Sequence, residues 1–142
     1  MAVMQISVQL ENVPGALTKL IDIMDSDDIS IKAISCASTT EHSTMRLVVN
    51  NPQRAAVVFE SCRLNYELIP VLAVEVPTHT GGLNAIVKPL SKGGVNILYL
   101  YTTIERLGKE TIIIIGVDDL DKASEILKEN WIHFVGDQIY SL

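Results

Sequence analysis

The feature that most constrains this chain is that it repeats itself. Pro14-Gly15-Ala16-Leu17 lies over Thr80-Gly81-Gly82-Leu83 at an offset of 66, and the register holds on both sides. Ile6 to Leu10 falls over Leu72 to Val76, and Leu17, Leu20, Ile21 and Met24 fall over Leu83, Ile86, Val87 and Leu90. Ile29-Ser30-Ile31 matches Val95-Asn96-Ile97, and Met45 to Val49 matches Thr111 to Ile115. After one residue of slippage, Ala56 and Phe59 match Ala123 and Ile126. Two copies of a unit of roughly 70 residues each bury little core alone, so they are expected to pack together.

Each copy reads the same way. Met4, Ile6, Val8 and Leu10 alternate with Gln5, Ser7 and Gln9, the period of a half-buried strand. Pro14 then marks a first helical position, and apolar residues at 17, 20, 21 and 24 form a helical stripe ended by Asp25 to Asp28. Strands are predicted over Ile29–Ala37 and Thr44–Val49, then a helix opened by Pro52. The extended run Tyr66–Val76 supplies the last strand of one copy and the first of the next, with Pro70 at the break. The second copy gives a helix over Leu83–Lys92, kinked at Pro89 and capped by Gly93-Gly94, and strands over Val95–Thr103 and Glu110–Val117. A helix over Leu120–Asn130 and a last strand near Ile132–Tyr140 complete it. The order is βαββαβ twice: an α+β, ferredoxin-like fold with helices on one face of an antiparallel sheet, divided as residues 1–70 and 71–142.

Composition narrows the function. The net charge is −6, and the eleven Lys and Arg form no basic stripe, so nucleic acid is not an expected partner. No apolar run approaches the ~18–20 residues of a membrane span. MAVMQISVQ lacks a basic stretch before an apolar core, so no signal peptide is expected and the location reads as cytoplasmic. Cys36 and Cys62 are too few and too distant for a disulfide framework or zinc site. His42, His79 and His133 have no ligand spacing, and no Gly-x-Ser-x-Gly elbow is present. The acidic run from Asp25 has Cys36 where a calcium loop needs glutamate. Neither ENVPG nor PTHTGG holds the arginine of a phosphate-binding loop or a Cys-x-x-Cys. Tyr99 and Tyr101 share a strand face, but an acidic chain makes them core or interface residues before RNA platforms. The chain reads as no enzyme, with no cofactor and no metal.

Asn12-Val13-Pro14-Gly15 followed by Leu17, Leu20, Ile21 and Ile29-Ser30-Ile31 resembles the ACT domain. Gly81-Gly82-Leu83, Lys88-Pro89-Leu90 and Gly94-Val95-Asn96-Ile97-Leu98-Tyr99-Leu100-Tyr101 resemble a second one. The resemblance spans the chain, which is similar to small tandem-ACT proteins. It implies allosteric sensing of an amino acid or similar metabolite, two domains pairing side by side into one eight-stranded sheet, and a ligand at their interface. The ligand then lies between the first loop of one domain and the start of the second strand of the other.

The physics of such a loop supports that expectation. A helix start offers unpaired N–H groups and partial positive charge to a carboxylate, and glycine at 15 or 81 lets a ligand approach the backbone. An asparagine serves both ends of an amino acid, donating to carboxylate and accepting from ammonium. The copies split these features. Copy one has Asn12 in the loop and Ser30 at the strand; copy two has Thr78 and Asn96. Pairing about a pseudo-twofold predicts a stronger site of Asn12, Val13, Pro14, Gly15, Asn96 and Ile97. A weaker one holds Thr78, Thr80, Gly81, Gly82, Ser30 and Ile31. Asn12 also fits a plain helix N-cap, worth about 1 kcal/mol. The rival function is an interaction module or detached regulatory subunit that docks a metabolic enzyme; in either case small apolar sheets suit a homodimer.

Overall fold

The computed structural model describes residues 2–108 and 110–142. The chain divides into two compact units, Met4–Ile69 and Pro70–Leu142, the latter with the first residues of the chain. Strand β1 (Val3–Glu11), helix α1 (Ala16–Ser26), β2 (Ile31–Ser38), β3 (His42–Val49), α2 (Pro52–Ser61) and the start of β4 (Asn65–Val76) build the first unit. The rest of β4, α3 (Asn84–Lys92), β5 (Ile97–Thr102), β6 (Thr111–Val117) and α4 (Leu120–Glu129) build the second. Pairing is antiparallel throughout: β2-β3-β1 in the first unit and β4-β6-β5 in the second.

The described residues thus carry six strands and four α-helices, where eight strands were expected. Two local causes account for the difference. Tyr66–Val76 does serve both copies, but as one strand running unbroken through Pro70. The expected last strand, Ile132–Tyr140, shrinks to a single bridge between Val74 and Phe134. Glu75 N–H donates to His133 O at 2.9 Å and Val135 N–H to Ala73 O at 2.8 Å; the chain then turns at Gly136 into a 3-10 helix, Asp137–Ser141.

Alternation places one face of each sheet under its helices. In the first unit Ile6 and Val8 of β1 pack with Leu20 and Met24 of α1, Met45, Leu47 and Val49 of β3, and Ala55, Val58 and Phe59 of α2. In the second, Leu72 and Val74 pack with Ile86, Leu90, Ile113, Ile115, Ala123 and Leu127. The opposite faces differ. Gln5, Ser7, Gln9 and Thr44 bring polar groups to the first, beside buried Val3 and Val48, with Gln5 Nε2 donating to Ser7 Oγ at 3.0 Å and Gln9 Nε2 to Thr44 Oγ1 at 3.0 Å. Ile112 and Ile114 make the second apolar, and both are fully buried.

The hydrogen bonds confirm the repeat atom by atom and correct its register. Ile29 N–H donates to Met24 O and Val95 N–H to Leu90 O, an offset of 66. From β3 onward the offset is 68, not the 67 of a one-residue slip: Ala55 and Phe59 match Ala123 and Leu127, all four fully buried. Asn51 and Asp119 are the matched N-caps, accepting from Arg54 N–H and Lys122 N–H at 3.0 and 3.1 Å. Two residues are inserted between β5 and β6 relative to β2 and β3. An even insertion leaves the inward and outward positions of a strand in phase, so Thr111–Ile115 still matches Met45–Val49 in pattern when misaligned by two.

Candidate functional site

The loop after β1 is a tight turn, not the first turn of a helix. Ala16 N–H donates to Val13 O at 3.3 Å across Pro14-Gly15, and Gly15 has φ 88° and ψ −13°. These are the dihedrals of a type II turn, which wants proline at its second position and glycine at its third. Pro14 therefore sits two residues before the helix, which begins at Ala16, and Gly15 is the N-cap without a side-chain cap bond. Copy two repeats the turn with Gly82 N–H donating to His79 O at 3.0 Å and Gly81 at φ 87°. Threonine at 80 replaces proline without changing the geometry.

Adjacent glycines in the second loop have separate tasks. Gly81, like Gly15, is there for its left-handed φ and has open space where a Cβ would stand. Gly82 is buried, and a Cβ there would overlap the Pro77 carbonyl oxygen. It serves backbone packing.

Both turns present the same pair of open donors. Lys19 N–H returns to Gly15 O and Ala85 N–H to Gly81 O, each at 3.0 Å. Among the described residues, no carbonyl outside the helix accepts from Leu17 or Thr18 N–H in copy one, or from Leu83 or Asn84 N–H in copy two. These are the orphan donors of a helix start, and they carry its positive end. Leu17 and Leu83, expected in the buried stripe, are instead 44% and 46% exposed beside these donors. Periodicity could not separate them from core leucines, because both stand at the exposed start of their helix, directly after the turn.

The asparagines have unequal surroundings. Asn12 is not an N-cap. Its Nδ2 donates to Thr39 O at 2.9 Å and its N–H to Glu41 O at 3.0 Å, which ties the loop to the β2–β3 hairpin. A small cleft of about 180 Å³ lies in this corner, lined in part by Asn12, Val13, Leu17, Cys36, Ser38 and Ser43. Asn96 is held by its backbone alone: its N–H donates to Asp118 Oδ1 at 3.0 Å and its carbonyl accepts from Asp118 N–H at 3.1 Å. Ser30 is clamped identically by Asn50, at 3.0 Å in both directions. Among the described residues the exposed Asn96 side chain has no recorded partner. Thr78 and Thr80 are exposed on the second loop, and Ile31 and Ile97 open β2 and β5, each half-buried. Asn50 and Asp118, which fix the two strand starts, were missed by sequence reading; their position just before the N-caps of α2 and α4 is the signal.

Within each unit β2 and β5 pair on one side only, with β3 and β6. Among the described residues no group of His, Cys, Asp and Glu is placed to hold a metal, and no helix is long and apolar enough to cross a membrane.

The chain is thus two copies of one α+β unit, each opening on a type II turn that bares a helix start. The chain matches the family model described as ACT domain pair over residues 1–141 and belongs to the ACT domain family. Its structure is similar to that of protein BT0572 from Bacteroides thetaiotaomicron, at 25% identity and a TM-score of 0.92, covering 100% of this chain and 98% of that one. It also resembles the ligand-free regulatory subunit of aspartate kinase from Thermus thermophilus, at 15% identity and a TM-score of 0.59, over 90% of this chain and 91% of that one. The regulatory subunit of aspartate kinase from Thermus flavus is similar at 13% identity and a TM-score of 0.58, over 90% and 92%. No curated protein matches the chain.

Proposed function

We propose that this protein is a non-catalytic, cytoplasmic sensor of two ACT domains, residues 1–70 and 71–142, that binds an amino acid or related small acid where two such domains pair. The observation that carries this reading is the complementary split of polar groups between copies: Asn12 beside one turn, Asn96 with its side chain unengaged at the other copy's strand start. The ligand carboxylate takes the open N–H pair of a turn, and the asparagines take the ammonium and the second carboxylate oxygen. The stronger site uses Asn12, Val13, Pro14, Gly15, Asn96 and Ile97; the weaker uses Thr78, Thr80, Gly81, Gly82, Ser30 and Ile31. Edge strands β2 and β5 suit side-by-side pairing with a second copy of the chain in a homodimer.

The test starts with thermal shift against the twenty amino acids, since a ligand at a hundred times its Kd stabilises by about 2.7 kcal/mol. Calorimetry on a hit then decides the site. Asn12→Ala and Asn96→Ala should each weaken binding by about tenfold, or 1.4 kcal/mol, while Ser30→Ala and Thr78→Ala change it less. Wild-type affinity in both asparagine variants overturns the composite site.

A second reading is docking onto a metabolic enzyme. The fold likeness to kinase regulatory subunits supports it, as do Leu98 and Leu100, exposed on edge strand β5 at 57% and 40%. Silence across the amino acids, with an enzyme retained on the protein, favours it.

A further inference from the structure

The turn after β1 has a second side. Facing away from the hairpin corner, a cleft of about 960 Å³ lies wholly within the first unit, between the start of α1 and the α2–β4 connection. Leu10, Leu20, Ile23 and Leu64 give it an apolar lining, and Lys19 and Arg63 give it two cations against the single carboxylate of Glu11. Among the described residues neither Lys19 nor Arg63 has an ion-pair partner, unlike Arg54, which pairs with Asp27.

Arg63 is held there against its backbone preference. It ends α2 with φ 56°, the left-handed region that glycine adopts most readily. Its N–H donates to Glu60 O at 3.1 Å and the next residue's, Leu64 N–H, to Phe59 O at 3.0 Å, so the conformation is fixed by the helix end. The repeat supplies an internal control. The positions matching Lys19 and Arg63 are Ala85 and Trp131, the latter at φ 62° and 93% exposed. The fold therefore demands neither cation, and a strained position that would accept glycine carries a charge lining a cleft instead.

We propose that this cleft binds an organic anion with an aliphatic body, such as a short-chain carboxylate, its charge between Lys19 and Arg63 and its chain on Leu10, Leu20, Ile23 and Leu64. The cleft lies within one unit and borders the Val13–Gly15 turn that the interface reading also uses, but neither of its cations belongs to that reading. Cavities of this size with an apolar lining and a few placed polar groups are the usual form of small-molecule sites.

Two exposed thiols make the test. Cys62 lines this cleft, and Cys36 lines the small one on the other side of the turn. Iodoacetamide alkylation of both is followed by mass spectrometry with hexanoate, and with hexanol as the uncharged control. Hexanoate at ten times its Kd should slow Cys62 by about tenfold, since protection scales as one plus ligand over Kd, and leave Cys36 unchanged. Hexanol should protect far less. The Lys19→Ala/Arg63→Gly variant changes an exposed helical residue and puts glycine where φ suits it, so it should fold and lose the protection. Asn12→Ala should keep it. Absence of protection, equal protection by hexanol, or protection surviving in the double variant overturns the proposal. Loss of protection in Asn12→Ala also overturns it, by merging the cleft with the loop site.

Discussion

The two units share a hydrogen-bond skeleton and differ in what they put on the sheet face away from their helices. The matched bonds run from the turns at Gly15 and Gly81 to the left-handed residues Arg63 and Trp131. Yet Arg46 of the first unit corresponds to fully buried Ile114 of the second, and Gln5 to Val71. The skeleton fixes the backbone; face chemistry is free to diverge as long as each choice is satisfied locally. Gln5 illustrates the condition: fully buried, it donates to Ser7 Oγ. An unpartnered amide there would cost about 1–3 kcal/mol.

Transplanting residues between copies breaks or sharpens this comparison. The largest effect is expected for Ile114→Arg, which gives the second unit the first unit's residue. An unpaired buried charge should cost about 4 kcal/mol or more, read as a fall in the urea midpoint. A midpoint near wild type would mean that face is not the buried surface described here.

Next comes a paired exchange. Tyr99 lies opposite Gly116, its ring where a Gly116 Cβ would stand, whereas the matching pair in the first unit is Ala33 opposite Val48. Gly116→Val alone should cost about 3 kcal/mol by overpacking. Adding Tyr99→Ala should recover part of that, a coupling readable in a double-mutant cycle. Strict additivity would show that the two pairs are not interchangeable solutions.

The smallest effect tests the shared skeleton itself. Asn51→Ala and Asp119→Ala remove the matched caps of α2 and α4, so each should cost about 1 kcal/mol, and nearly the same amount. A large inequality in denaturant unfolding would show that the copies differ in the skeleton too.

The same contrast explains what the sequence could disclose. The repeat, the helices and the period of β1 were legible because they depend on near neighbours in the chain. The register beyond β3 was misread by a residue because flanking apolar runs such as Thr111–Val117 match at several offsets; only the caps and the buried Ala55, Phe59, Ala123 and Leu127 fix it. The last strand failed because pairing of Ile132–Tyr140 is a tertiary matter that no periodicity announces. At the candidate site, Pro-Gly was recognised as a loop signal, but its turn type, and with it the start of α1, depends on a bond from Ala16 to Val13. Asn12 looked like a cap because its partner Thr39 stands on another element. Leu17 looked like core because a hydrophobic stripe does not show where the first turn is exposed.

The open N–H pairs at the two helix starts have a consequence for measurement. Amides inside α1 and α3 are shielded by their helical bonds, while those of Leu17, Thr18, Leu83 and Asn84 are not. In native-state hydrogen exchange these four should be the fast sites of otherwise slow helices, two in each unit. The molecule thus carries a matched pair of clocks, one per copy, and anything that settles on one turn slows one pair while the other keeps time.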